Sequence, residues 1–173
     1  MFTFDAAVLV LRLGVGLIFA IHGAQKVFGW WGGSGFAGWE AVMTRMGFRP
    51  ARFFAAVSAG AELIGGLALA LGVLTPLAAM ILVGQSVVII FAAHWPRGFF
   101  NRDNGYEFPL SLVTGAVAVL LLGPGEASVD ALVGVTTQPE VRLVLLALGV
   151  LGGLATVAMP RLVSRFTQPT VPA

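Results

Sequence analysis

The chain has no cysteine and little charge: Lys, Arg, Asp and Glu together make up 10% of its 173 residues. Without thiols it cannot form disulfides, thiolate metal sites, iron–sulfur ligation or a thiol redox centre from its own side chains. Any electron chemistry would therefore rest on a bound cofactor or a partner. Against so little charge stand 58% aliphatic and aromatic residues, which excludes a soluble domain, because such a chain has too few polar groups to cover its own surface. Lipid must be the solvent for much of it. A basic segment interleaved with aromatics is also missing. The ten Lys and Arg are spread through short loops, so nucleic acid is not an expected partner and the cations read as topology markers. The start of the chain has Asp5 where a secretory signal would be basic, Arg12 inside the apolar run, and no small-x-small cleavage site. It reads as a retained span.

What is present is a series of long apolar runs, from about 6 to 24, 53 to 74, 76 to 95, 106 to 123 and 142 to 159, each near the ~20 residues a helix needs to cross the hydrocarbon core. The fourth is the shortest. Thr75-Pro76 leaves almost no loop between the second and third runs, which predicts a tight antiparallel hairpin, while Pro124-Gly125 and Pro160 are expected to end the last two. With five spans, Lys26, Arg45, Arg49, Arg52, Arg97, Arg102, Arg161 and Arg165 fall on one side, and the acidic loop with Glu126, Asp130 and Glu140 on the other. The positive-inside rule then predicts a protein of the cell inner (plasma) membrane with its N-terminus outside and its C-terminus in the cytoplasm. Four spans would move the tail arginines outward and fit less well. In the first loop, Phe36, Trp39, Val42, Met43 and Met46 recur at helical spacing between Ser34, a candidate N-cap, and Gly47, a candidate stop. This predicts an amphipathic helix in the cytoplasmic interface, with Trp30, Trp31 and Trp39 at headgroup level. Gly33, Gly35 and Gly38 form a GxGxxG, but no strand precedes it, so dinucleotide binding is rejected. The expected fold class is an all-α membrane protein: a four-helix transmembrane bundle over residues 1–123, an acidic outer loop and a fifth span over 124–160, and a short cytoplasmic tail over 161–173, disordered from 166.

The candidate site residues are ionisable groups at membrane depth. Arg12, His22 and Lys26 share an arc of roughly 80° on the first span, with Gly16, Phe19 and Gly23 beside them. A glycine-lined face lets a helix pack closely while hiding charge from lipid. The plainer alternative is that His22 and Lys26 sit at the cytoplasmic end and snorkel into headgroups. Glu62 lies mid-span in the second run, where an unpaired carboxylate costs at least ~2.5 kcal/mol. It aligns with Ser58, Gly66 and Ala70 in a small-residue seam suited to the first span's glycine face. Its depth falls between Arg12 and His22, so a structural Arg12–Glu62 ion pair competes with a functional role. His94 and Glu107 flank the third loop at the depth of His22 and Lys26, and Glu107 begins a polar stripe with Ser111 and Thr114. Gln85 is nine residues before His94, about 180° away on a continuous helix, so only one can face the interior, and His94 is the favoured one. His22 and Glu62 are thus candidate catalytic residues, and Arg12, Lys26, His94 and Glu107 candidate cofactor-binding residues. No metal is expected, because the histidines and carboxylates lack HExxH or any other tight spacing. Haem held axially by histidines of different spans is a weak option. Gly149 and Gly153 form a GxxxG in the fifth span, a candidate packing or homo-oligomer face.

Taken in order, Arg12, the His22-Gly23-Ala24-Gln25-Lys26 run, Glu62 with Gly65-Gly66 and Gly72, and Gly98-Phe99-Phe100 leading to Gly105-Tyr106-Glu107 resemble the DoxX family of small bacterial membrane proteins over about residues 7 to 123. The resemblance implies a four-helix membrane bundle linked to membrane oxidoreductase complexes. Relatives are subunits of a thiosulfate:quinone oxidoreductase or associate with sulfur-handling and superoxide-removing enzymes. The fifth span and tail depart from that pattern, and the missing cysteines weaken any role in which this subunit itself oxidises sulfur compounds. Three functions stay open at this point. The leading one is a membrane subunit of an oxidoreductase system with a quinone in the cytoplasmic half of the bundle, protons passing through His22, Glu62, Lys26, Glu107 or His94, and a soluble or membrane oxidoreductase as partner. The others are a small proton-coupled permease and a membrane scaffold for a soluble redox enzyme.

Overall fold

The computed structural model describes residues 2–167, with side chains over 3–160, and all its regular structure is helical. α1 (Phe2–Phe28), α3 (Ala51–Leu71) and α4 (Thr75–Val88, prolonged to Arg97) are long and apolar enough to cross a membrane, as is α7 (Pro139–Thr167) over Pro139–Pro160. α5 (Glu107–Leu122) is apolar but shorter, at 16 residues. The short α2 (Gly35–Arg45) follows α1, and the one-turn α6 (Val129–Leu132) lies between α5 and α7. The expected all-α membrane bundle is therefore the fold. Exposed side chains such as Val10, Ile64, Leu71, Leu143 and Leu151 belong on its lipid-facing exterior.

α1 and α3 form the most extensive pair. Small residues let their backbones touch: a Cβ at Gly16 would come within 2.6 Å of Gly66 O, and one at Gly66 within 2.5 Å of Ala20 N. The seam predicted along Ser58, Glu62, Gly66 and Ala70 is buried in full, packing by close approach where lipid offers no hydrophobic drive. α4 and α5 close the bundle around a core of Val15, Phe19, Leu69, Leu82, Val83, Leu112, Val119 and Leu120.

The α3–α4 hairpin forms at Thr75-Pro76 as expected, with Pro76 in the first turn of α4. At the opposite end, α2 does more than lie in the interface. Met43 joins Phe48 and Ala55 in a second core, with Phe36, Met46 and Phe54 packed on it, so α2 covers one end of the bundle. Trp30 and Trp31 are exposed, but Trp39 turns inward over Lys26, whose Nζ lies 4.2 Å from the ring centroid. Ser34 does not cap α2, since its hydroxyl donates to Gly35 O. Gly47, at φ +84°, ends the segment as predicted.

One expectation about α7 is corrected and another is narrowed. Pro160 does not end it: the helix continues to Thr167, because the proline's fixed φ is itself helical and only one backbone donor is lost. Of the two roles open to Gly149 and Gly153, packing within the chain is the one seen. A Cβ at Gly149 would lie 2.7 Å from Met80 O, and one at Gly153 2.6 Å from Gly84 O. The GxxxG is consumed by α4 of the same chain. The end of the tail, 168–173, lies outside the described residues.

Candidate functional site

The buried charge of Glu62 organises one end of the bundle. Its side chain is 1% exposed, and its Oε1 accepts from Lys26 Nζ in an ion pair and from Gln85 Nε2 at 2.8 Å. Gln85 Nε2 also donates to Ser58 Oγ at 2.7 Å. Glu62 Oε2 is buried with no hydrogen-bond partner, which is unusual for a native buried oxygen and costly in a low-dielectric site. This carboxylate borders a cavity of about 600 Å³ whose wall includes Phe19, His22, Lys26, Trp39, Ile89, His94, Phe108 and Leu112, with Arg45, Arg97 and Asn101 also lining it.

Four of the predicted site residues, His22, Lys26, Glu62 and His94, therefore line one space. His22 is exposed at its edge, with its ring 6.0 Å from that of Phe108 in an edge-on contact. His94 Nδ1 lies 2.7 Å from Asn104 O. A carbonyl only accepts, so Nδ1 carries the proton and Nε2 is the atom left for exchange.

Gln85 and His94 both face inward, against the expectation that only one would. The reason is a change of helix type: Ile89–His94 is a π-helical turn. Its wider hydrogen-bonding pattern advances each residue through a smaller angle than an α-helix does, so the 180° offset of a continuous helix does not accrue. Such turns recur at functional sites.

Arg12 and Glu107 stand apart from the cavity. Arg12 is 1% exposed near the opposite end, and its guanidinium donates to Pro124 O and to Ala127 O, the latter at 2.5 Å. The Arg12–Glu62 pair is thus corrected: Arg12 is partnered by carbonyls of the loop after α5 that no sequence pattern announces. Asp130 completes that cluster, with Oδ1 accepting from Leu74 N and Oδ2 from Thr75 N, both at 2.7 Å, and its own amide donating to Gly72 O at 2.8 Å. It satisfies the free amides at the start of α4, where a carboxylate also complements the helix dipole. Glu107 Oε2 accepts from Asn101 N at 2.9 Å, bracing the Gly98–Tyr106 turn that Tyr106 N closes on Gly98 O at 3.1 Å. The polar stripe beyond it does not reach the cavity, because Ser111 Oγ and Thr114 Oγ1 donate to Phe108 O and Leu110 O of their own helix.

Gln85, to which the sequence prefers His94, Trp39, expected at headgroup level, and Arg45 and Arg97, expected as topology markers, all join the site. A signal existed for Trp39, which shares a helical stripe with Met43 and Met46. Among the described residues, no three His, Cys, Asp or Glu side chains come together as a metal ion would need.

The residues that hold this site fall in a recognised class of small multi-pass membrane proteins. The DoxX family model matches residues 7–95, from the first turns of α1 to the turn after the π segment, and the chain belongs to that family. It is 33% identical over 134 residues to "Uncharacterized membrane protein Rv3486" of Mycobacterium tuberculosis (strain H37Rv), covering 72% of this chain and 79% of that one. It is also 35% identical over 77 residues to an "Uncharacterized protein" of Haemophilus influenzae, covering 44% of this chain and 51% of that one. No solved structure matches.

Proposed function

We propose that the chain is the membrane subunit of an oxidoreductase system and that a quinone binds in the cavity beside Glu62. The observation that carries this reading is the unpartnered Glu62 Oε2 on a cavity of about 600 Å³, a size within the usual range for small-molecule sites. The residues fit such a ligand. Phe19, Phe108 and Leu112 supply apolar wall, Lys26 and the unpartnered Trp39 Nε1 supply donors suited to carbonyl oxygens, and His94 Nε2, with the proton on Nδ1, supplies an acceptor for a quinol hydroxyl. When bound, a quinone supplies two-electron, two-proton redox chemistry, with the electrons delivered by a partner oxidoreductase.

The chain's own work is to hold and move protons. Lys26 and Gln85 both engage Glu62 Oε1, leaving Oε2 to carry a proton toward the cavity. The Asn104 carbonyl fixes the His94 tautomer, which leaves Nε2 as the exchanging atom. His22, exposed at the rim, connects this interior to water. Arg45, Arg97 and Lys26 mark this end as basic, so the cavity opens toward the cytoplasm of the inner membrane. The permease alternative needs both ends of the bundle to open in turn, whereas the outer end is tied by Arg12 and Asp130 to the loop after α5 and to the α3–α4 turn.

The test is an absorbance spectrum and an organic extract of the purified protein, followed by titration with a short-chain quinone. Co-purified quinone, or saturable binding that Glu62→Gln and Trp39→Ala weaken, is expected. Protein that carries no quinone and binds none would overturn the reading.

A further inference from the structure

Lys26, Arg45 and Arg97 face one cavity that holds a single carboxylate, Glu62. Lys26 already neutralises that carboxylate, which leaves both arginines, exposed at the cavity's edge, without a counter-charge among its lining residues. They come from separate elements, Arg45 from the last turn of α2 and Arg97 from the turn after the π segment, and neither forms an ion pair among the described residues. Of the nearby arginines, Arg102 pairs with Asp103 at 3.4 Å, whereas Arg49 donates only to backbone carbonyls, Phe48 O at 3.3 Å among them. Two neutral donors share the wall, the side-chain amide of Asn101 and Trp39, whose buried Nε1 has no acceptor. A recess with low-dielectric walls and one sign of free charge concentrates its field on an incoming counter-ion. Paired guanidinium forks match the oxygens of a phosphate.

We infer that the mouth of the cavity is a binding site for a phosphate-type oxyanion, held by Arg45 and Arg97 with Asn101 alongside. Apolar wall continues inward past the mouth through Val42, Met46 and Phe108, so the oxyanion can be the head group of an amphiphile as well as a free ion. The site does not depend on a quinone being bound deeper in the cavity.

Isothermal titration of the full chain in neutral detergent tests it, with inorganic phosphate and dioctanoyl phosphatidic acid as probes and dioctanoyl phosphatidylcholine as the zwitterionic control. Phosphatidic acid should bind and the control should not. Arg45→Gln and Arg97→Gln should each weaken binding about tenfold, as expected for one charge-assisted contact, and Arg45→Lys should recover part of the loss. Arg102→Gln should change nothing. Binding of inorganic phosphate with the same arginine dependence would make the free ion sufficient, and binding of phosphatidic acid alone would make the ligand a lipid head group. No binding of either probe, binding indifferent to Arg45 and Arg97, or an equal loss in Arg102→Gln would overturn the inference.

Discussion

Each end of the bundle buries an ionised side chain, and the two are handled in opposite ways. Arg12 spends both terminal nitrogens on Pro124 O and Ala127 O, and nearby Asp130 spends both oxygens on the amides of Leu74 and Thr75. Those partners are backbone groups, fixed by the fold. Glu62 is as deeply buried, yet both its contacts fall on Oε1 and both come from side chains, while Oε2 has no partner and the residue lines a cavity. Burial alone therefore does not separate a structural charge from a functional one. Arg12 Nε, like Glu62 Oε2, has no partner, so what separates the two is whether the partners they do have are backbone groups fixed by the fold or side chains bordering a space that a ligand can enter.

The contrast can be broken most forcefully at the closed end. Arg12→Ala leaves Asp130 and two loop carbonyls without their cation and should cost about 3–5 kcal/mol, seen as a large drop in thermal stability and in folded yield. Survival of a fully stable Arg12→Ala protein would show that the cluster is not structural. Glu62→Gln keeps the shape and an acceptor for Gln85 while removing the exchangeable charge. On the proposed function, quinone-linked turnover with an oxidoreductase partner should fall about 100-fold or more, the usual scale for losing a positioned proton carrier, with the fold intact by circular dichroism. Equal damage to stability would place Glu62 in the same class as Arg12.

Gly153→Val would drive a side chain into Gly84 O and Val87. It should destabilise the α4–α7 contact by about 1–3 kcal/mol without altering the oligomeric state, and a changed elution volume in detergent would give these glycines an interchain role as well. Smallest is Ser128→Ala. Ser128 Oγ accepts from Ala131 N at 3.1 Å and donates to Gly125 O at 2.6 Å, so its loss should cost about 1 kcal/mol at the closed end while leaving ligand binding untouched.

The architecture was largely legible in the sequence because apolar run length and proline position act locally: the long spans, the Thr75-Pro76 hairpin, the short α5 and the helix after Gly33 can each be argued from a few neighbouring residues. Part of the site was legible for an electrostatic reason. Glu62 in hydrocarbon requires a counter-charge, and the arc holding Lys26 was the nearest source. Other parts depended on facts that no spacing encodes. The acceptors for Arg12 are carbonyls more than a hundred positions away in the loop after α5, and every residue type has a carbonyl. Gln85 was set aside because a uniform α-helical pitch was assumed through Ile89–His94. Asp130 looked like one more loop acid, although it ties the loop to the α3–α4 turn.

The shortness of α5 has a consequence for the surrounding lipid. Its 16 residues span about 24 Å at ~1.5 Å per residue, less than the ~30 Å of a typical hydrocarbon core. Acyl chains along that flank must shorten or splay to meet it. Because Phe108, Pro109 and Leu112 at the start of α5 also wall the cavity, this dimple in the bilayer brings the aqueous boundary closer to the chamber there than a full-length helix would allow.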